Sequence, residues 1–316
     1  MAQAVIPPAT VRESPFKFER AKFTIYGTLT LPRDTSAPAP VVLIVAGSGP
    51  TDRNANGPLI HTNAYAMLAW GLAEHGIASV RYDKRAIGQS AWPIVDATQL
   101  TLDDYVTDAM AATDAIVATH RFSRVILLGH SEGASIVLLA ANRGAPANGV
   151  IMVSGQGRRL AEVLHDQFAR QTDSASLVRI DSGFAQFLRG ETPRDVPAVG
   201  QVVMLPNARK FLQSLAAYDP ATEVARLRLP LLILQGRTDL QVLVKDAELL
   251  HSAQPRSTLT LLPDVNHVLK RMSSSSMADQ QPSYHDPSLP LAPDVISAIV
   301  GWIHALRPSA SQGVPR

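Results

Sequence analysis

Apolar side chains change their period several times along the chain. Residues 16–31, FKFERAKFTIYGTLTL, alternate apolar and polar positions around Gly27, which predicts an antiparallel hairpin or a bent edge pair. After a proline-rich turn at 32–40 the pattern becomes solid. VVLIVAG at 41–47, ASVRYD at 78–83, RVILLGH at 124–130, GVIMVSG at 149–155, LPLLILQG at 229–236 and STLTLLP at 257–263 are short apolar runs. Such runs suit strands buried on both faces. Helical stretches lie between and after them: 60–75 ending at Gly76, 101–119, 134–143, 245–253 and 294–306. Strands alternating with helices predict an α/β fold with a mostly parallel central sheet.

The alternation breaks twice. Residues 156–226 hold helical stretches and no solid strand run, which predicts an insertion over one end of the sheet, a helical lid. Residues 268–292 are rich in Ser and Pro and read as a long surface loop. The core then divides into 16–155 and 227–308, with loose tails at 1–15 and 309–316. A chain of 316 residues suits one large domain carrying such an insertion, and no internal repeat is present.

Composition narrows the chemistry. With 46% hydrophobic and 18% charged residues the chain is expected to fold rather than remain disordered. A net charge of +2, without a basic stripe interleaved with aromatics, gives no expectation of a nucleic-acid partner. No run of eighteen apolar residues predicts membrane insertion. The absence of cysteine removes disulfides, thiolate nucleophiles and cysteine metal sites together. The opening MAQAVIPPAT lacks a basic segment followed by an apolar one, so no signal peptide is expected in the chain as given. A mature exported chain preceded by Met would look the same, and the compartment stays open.

One stretch carries a specific signal. LLGHSEGASIVLLA, 127–140, runs from a buried strand through Gly129-His130-Ser131-Glu132-Gly133 straight into a helix. So tight a turn forces Ser131 into strained geometry, leaves room only for glycine on either side, and lifts its hydroxyl above the sheet at a helix N-terminus. A nucleophile fits this context. An N-cap serine would explain neither the flanking glycines nor the strand before it. A serine hydroxyl then needs a base, and the base an orienting acid. Asp239 follows the strand at 229–236 and His267 follows the strand at 257–263, so both fall at the same carboxyl edge of the sheet as Ser131. Among the rivals, Asp264 reads as a turn residue, Asp246, His251 and His304 as helical, and His285 as a second choice for the base.

A developing oxyanion needs two backbone donors. One is expected from the residue after the nucleophile, Glu132, and the other from Ser48 in the loop GSGPTDRNANG, with Gly49 beside it at the substrate. His130 is expected to shape the substrate pocket. Asp83, Lys84 and Arg85 are expected to anchor their loop. The side chain of Glu132 has either Arg53, Arg85 or solvent as its partner. Lid residues Phe168, Phe184, Phe187, Leu188, Phe211 and Leu212 are expected either as an apolar wall for substrate or as the lid's own packing.

These motifs resemble the α/β-hydrolase superfamily, and more narrowly bacterial serine carboxylesterases carrying G-S-G-P-x-D-R, R-Y-D-x-R and G-H-S-x-G. Here they stand at Gly47–Arg53, Arg81–Arg85 and Gly129–Gly133, and the resemblance spans about residues 18–306, thinly across the lid. It implies hydrolysis of a small-molecule carboxylic ester by Ser131, His267 and Asp239 through an acyl-enzyme, with no metal and no cofactor. A thioesterase or a peptidase on the same fold is the alternative, and a non-catalytic binding protein a third. The chain departs from the pattern at Ala46, where many members have His, and at Ala86, where Gly is frequent.

Overall fold

The computed structural model describes residues 6–34, 37–92 and 94–306. The described residues form ten strands: β1 (Val11–Glu19), β2 (Thr24–Pro32), β3 (Pro40–Val45), β4 (Asn56–Gly57), β5 (Ile60–His61), β6 (Ala78–Tyr82), β7 (Arg124–His130), β8 (Gly149–Val153), β9 (Leu231–Gly236) and β10 (Thr258–Leu262). Eight of them form one sheet in the order β1-β2-β6-β3-β7-β8-β9-β10, while β4 and β5 pair separately. From β6 to β10 the pairing is parallel, while β2 pairs antiparallel with both β1 and β6 and so runs against the rest of this sheet.

The solid apolar runs follow from what lies on each face. In β3, Val41, Leu43 and Val45 face one core cluster, Val42 and Ile44 the other. Helices α1 (Ala64–Glu74) and, at the chain's end, α11 (Pro293–Ala305) cover the second cluster. The first is covered by α2 (Leu102–Val117), α3 (Glu132–Asn142) and α9 (Val244–Ala253). The chain leaves β3 for β6 on one side and returns for β7 on the other. The crevice between the carboxyl ends of β3 and β7 is thus the topological switch point where open sheets bind ligands.

The expected antiparallel pair is present, and two other expectations need correction. The hairpin turns at residues 20–23, where Arg20 N–H donates to the Phe23 carbonyl at 2.8 Å; Gly27 lies inside β2 opposite Phe16. β1 also begins at Val11, within the expected tail. Besides its pairing with β2 and the buried Val11 and Phe18, it has a polar anchor: Glu13 accepts from Trp70 Nε1 and from Arg81, each at 2.8 Å, and periodicity gives no sign of such anchors. Residues 1–5 of that tail, and all of 309–316, lie outside the described residues.

Residues 268–292 are not simply a surface loop. They contain the short helix α10 (Met277–Gln280) and bury Leu269, Lys270, Gln280, Ser283 and Leu291. Lys270 Nζ binds the carbonyls of Thr62, at 3.0 Å, and Leu289. A single buried lysine thereby clips this segment onto the loop before α1.

Residues 156–226 hold five helices: α4 (Leu160–Ala169), α5 (Ser174–Leu188), α6 (Ala198–Gln201), α7 (Arg209–Ala216) and α8 (Pro220–Arg226). Their aromatics turn inward. Phe168, Phe184 and Phe187 are buried, and Phe211 meets Tyr105 of α2 edge to face at 5.5 Å. Among the described residues no helix is long and apolar enough to cross a membrane.

Candidate active site

β7 ends at His130 and α3 starts at Glu132, so Ser131 makes the whole turn, at φ 54° and ψ −121°. For a non-glycine residue this costs about 1–3 kcal/mol and persists only under strong local constraint. The glycines supply it. A Cβ on Gly129 would lie 2.0 Å from the Gly133 carbonyl oxygen, and one on Gly133 2.3 Å from the Val45 carbonyl oxygen. The Ser131 amide is tied to the Val153 carbonyl at 2.9 Å.

Asp239 lies just beyond β9, fully enclosed. Its Oδ1 accepts the amides of Gln241, at 2.8 Å, and Val242, at 3.0 Å, while Oδ2 meets His267 Nδ1 at 2.9 Å. Burial pushes its carboxyl up, but His267 and the two amides outweigh burial and hold it below its ordinary value. Asp239 therefore stays an anion against the histidine ring.

His267 follows β10 and lines, with Ser131, Ser48 and His130, a single cavity of about 110 Å³. Ser131 has no side-chain hydrogen bond among the described residues. Bonds between such a hydroxyl and its base tighten when substrate binds.

His130 shapes the pocket but has no polar atom left for a ligand. Its Nδ1 meets Tyr65 Oη at 2.8 Å and its Nε2 the His267 carbonyl at 2.8 Å. Burial, together with the neighbouring His267, pushes its pKa down to about 3.

The loop after β3 is fixed at many points. The Gly47 amide donates to Tyr65 Oη at 3.0 Å, and Lys84 Nζ donates to the Gly47 carbonyl at 2.6 Å. Tyr65 and Lys84 thus anchor this loop on either side of Gly47, next to Ala46. Asp52 accepts the amides of Asn54 and Asn56, and Arg53 forms a bidentate pair with Asp83. Ala86 takes φ 67°, the conformation that glycine adopts freely, so the turn is kept without the glycine.

Several expected placements differ. Glu132 pairs with neither arginine and does not face solvent: its carboxylate is buried against Lys84 at 3.0 Å. Arg53 is held by Asp83, and Arg85 by Asp104 and Asp108. Gly49, at φ 82°, sits exposed at the outer turn and does not line the cavity. None of the six lid residues lines it either. Phe168, Phe184 and Leu188 border a separate cleft between α4 and α5, because an amphipathic helix buries its apolar stripe against its neighbours first. The walls near Ser131 come instead from Thr51, Ile60 and Tyr65 on one side and Val268, Leu269 and Tyr284 on the other. Gln241 Nε2 donates to Tyr284 Oη at 3.0 Å across this wall, and Thr51 Oγ1 is buried there without a partner. Single apolar or polar residues of this kind carry no sequence signal, and contacts between distant loops select them.

The rivals fall away from the cavity. Asp246 is buried against Arg158, His251 bonds Ser257, His285 and His304 are exposed, and Asp264 lies half-buried at the end of its strand.

An eight-stranded sheet thus carries a strained serine at its switch point and a histidine–carboxylate pair at the same edge. A family model described as serine aminopeptidase, S33, matches residues 55–174, which include the Ser131 turn. Solved structures share the fold. Est1E from Butyrivibrio proteoclasticus with ferulic acid bound has a TM-score of 0.59 at 16% identity, over 92% of this chain and 98% of its own. Proline iminopeptidase from Mycobacterium smegmatis gives the same values. The chain has the α/β-hydrolase fold. In sequence it is similar to esterase EstD from Thermotoga maritima, 33% identical over 263 residues that make up 81% of this chain. The match spans 61% of that relative's own length.

Proposed function

We propose that this α/β-hydrolase cleaves carboxylic esters of small molecules through an acyl-enzyme on Ser131. One observation carries the reading: His267, hydrogen-bonded to the buried Asp239 at 2.9 Å, shares its cavity with a serine held in strained geometry. The likeness to an esterase at 33% identity supports the same chemistry.

His267 takes the proton of Ser131 as the hydroxyl oxygen attacks the ester carbonyl. Asp239 holds the imidazole in its orientation and stabilises the cation that forms. The backbone amides of Ser48 and Glu132 receive the oxyanion, each such donor being worth roughly a hundred- to a thousandfold in rate. The alcohol departs with the proton from His267. Water, deprotonated by the same histidine, then adds to the acyl carbon and releases the acid and Ser131. Helices α4 to α8 serve as a lid whose aromatics hold the insertion together rather than touch the acyl group.

A peptidase is the second reading, favoured by the S33 aminopeptidase model and by the fold shared with proline iminopeptidase. A fluorophosphonate probe combined with rate measurements on matched esters, thioesters and amides tests both. The ester reading expects labelling that Ser131→Ala abolishes, and fastest turnover of the ester. Labelling with turnover of amides alone would favour the peptidase; no labelling would remove the nucleophile.

A further inference from the structure

Lys84 is 2% exposed, although a lysine is normally at the surface. Its ammonium donates to two acceptors, the Gly47 carbonyl at 2.6 Å and Glu132 Oε1 at 3.0 Å, and lies 5.0 Å from the Tyr105 ring centroid. Neutralising Glu132 needs only the second contact. The first and shorter one goes to an uncharged backbone oxygen in the loop beside Ser131. Resting on the ester-hydrolase reading above, we propose that Lys84 is a positioning residue that sets the oxyanion hole by fixing the orientation of the Gly47–Ser48 peptide.

The geometry follows from the planar trans peptide, in which C=O and N–H point in opposite directions. The Gly47 carbonyl is drawn into the interior by Lys84, so the Ser48 N–H is turned the other way, and Ser48 and Ser131 line the same cavity. On its other side Gly47 is held too, its amide donating to Tyr65 Oη at 3.0 Å. A side chain would be crowded here, since a Cβ would lie 3.1 Å from Ser131 Cβ and 3.2 Å from the His130 carbonyl oxygen. A glycine rotates freely, and the peptide beyond it needs an external restraint to stay in one orientation. The same ammonium binds the side chain of Glu132, whose own amide is the second donor. One buried charge thus holds both halves of the hole in register before substrate arrives, which is what preorganised stabilisation requires.

The test removes Lys84 without leaving a lone buried carboxylate: Lys84→Met combined with Glu132→Gln. Circular dichroism and melting follow the fold. The expected result is a folded enzyme whose kcat on a short aryl ester falls about a hundredfold while KM moves less than threefold. Its affinity for a trifluoromethyl ketone should fall by the same factor as kcat. Lys84→Gln with Glu132→Gln keeps a neutral donor for the Gly47 carbonyl and should regain about tenfold. It also supplies the comparison with wild type should the Met variant not fold. Wild-type kcat and inhibitor affinity in the Met double variant, or in the Gln one if only that folds, would overturn the role of Lys84 alone. Wild-type protein that neither hydrolyses the ester nor takes the fluorophosphonate label would overturn the ester-hydrolase reading and this role with it.

Discussion

Tyr65 and His130 share a buried hydrogen bond of 2.8 Å, and its direction is fixed by what lies at either end. The His267 carbonyl can only accept, so His130 Nε2 carries the proton and Nδ1 accepts from the Tyr65 hydroxyl. The tyrosine oxygen in turn accepts the Gly47 amide. Three bonds therefore connect the loop that presents Ser48 to the backbone of His267.

Tyr65→Phe should break this connection at both ends. It leaves His130 Nδ1 and the Gly47 amide buried without partners, at about 1–3 kcal/mol for each. Denaturant unfolding should show a loss of about 2–6 kcal/mol, and kcat should fall on the order of tenfold. Unchanged stability and rate would mean that the relay holds nothing in place.

His130 should also make stability depend on pH. Its pKa is about 3 in the fold, against 6.5 when unfolded, because burial and the adjacent His267 favour the neutral ring. The neutral form's contribution is complete above about pH 6.5. It is lost as pH falls toward 3, because the unfolded chain binds a proton that the folded chain refuses. One such group gives a slope of about 1.4 kcal/mol per pH unit in that window. Unfolding free energies between pH 7 and 4 should show it, and His130→Gln should flatten it. An equal slope in the variant would assign the effect to other groups. Asp239, held below its ordinary value, adds stability that is lost only at lower pH, below about 4.

Asp239 and Asp246 are both buried beside partners, and their substitutions should separate cleanly. Asp239→Asn should cut kcat by about 10³–10⁴ with the fold retained, because the His267 ring loses its orienting anion. Asp246 instead ties Arg158 at 2.8 Å and the amides of Gly157 and Arg158 at 3.1 Å. Asp246→Asn should therefore cost about 3 kcal/mol of stability and leave kcat within a few-fold of wild type. Melting curves and rates measured side by side decide this, and a large kcat loss at Asp246 would reverse the assignment.

Chain order and hydrophobic period were enough to place six parallel strands, their covering helices, and the edge at which Ser131, Asp239 and His267 emerge. These features are local: a doubly buried strand must be apolar throughout, and a turn as tight as the one at Ser131 admits only glycine at Gly129 and Gly133. Tertiary structure alone decided the rest. Lys84 as the partner of Glu132, Tyr65 beneath His130, the Lys270 clip and the inward turn of Phe168 and Phe184 all join segments far apart in sequence. A buried polar group takes whichever partner the packed chain brings within reach, and nothing in its own neighbourhood of the sequence says which one that is.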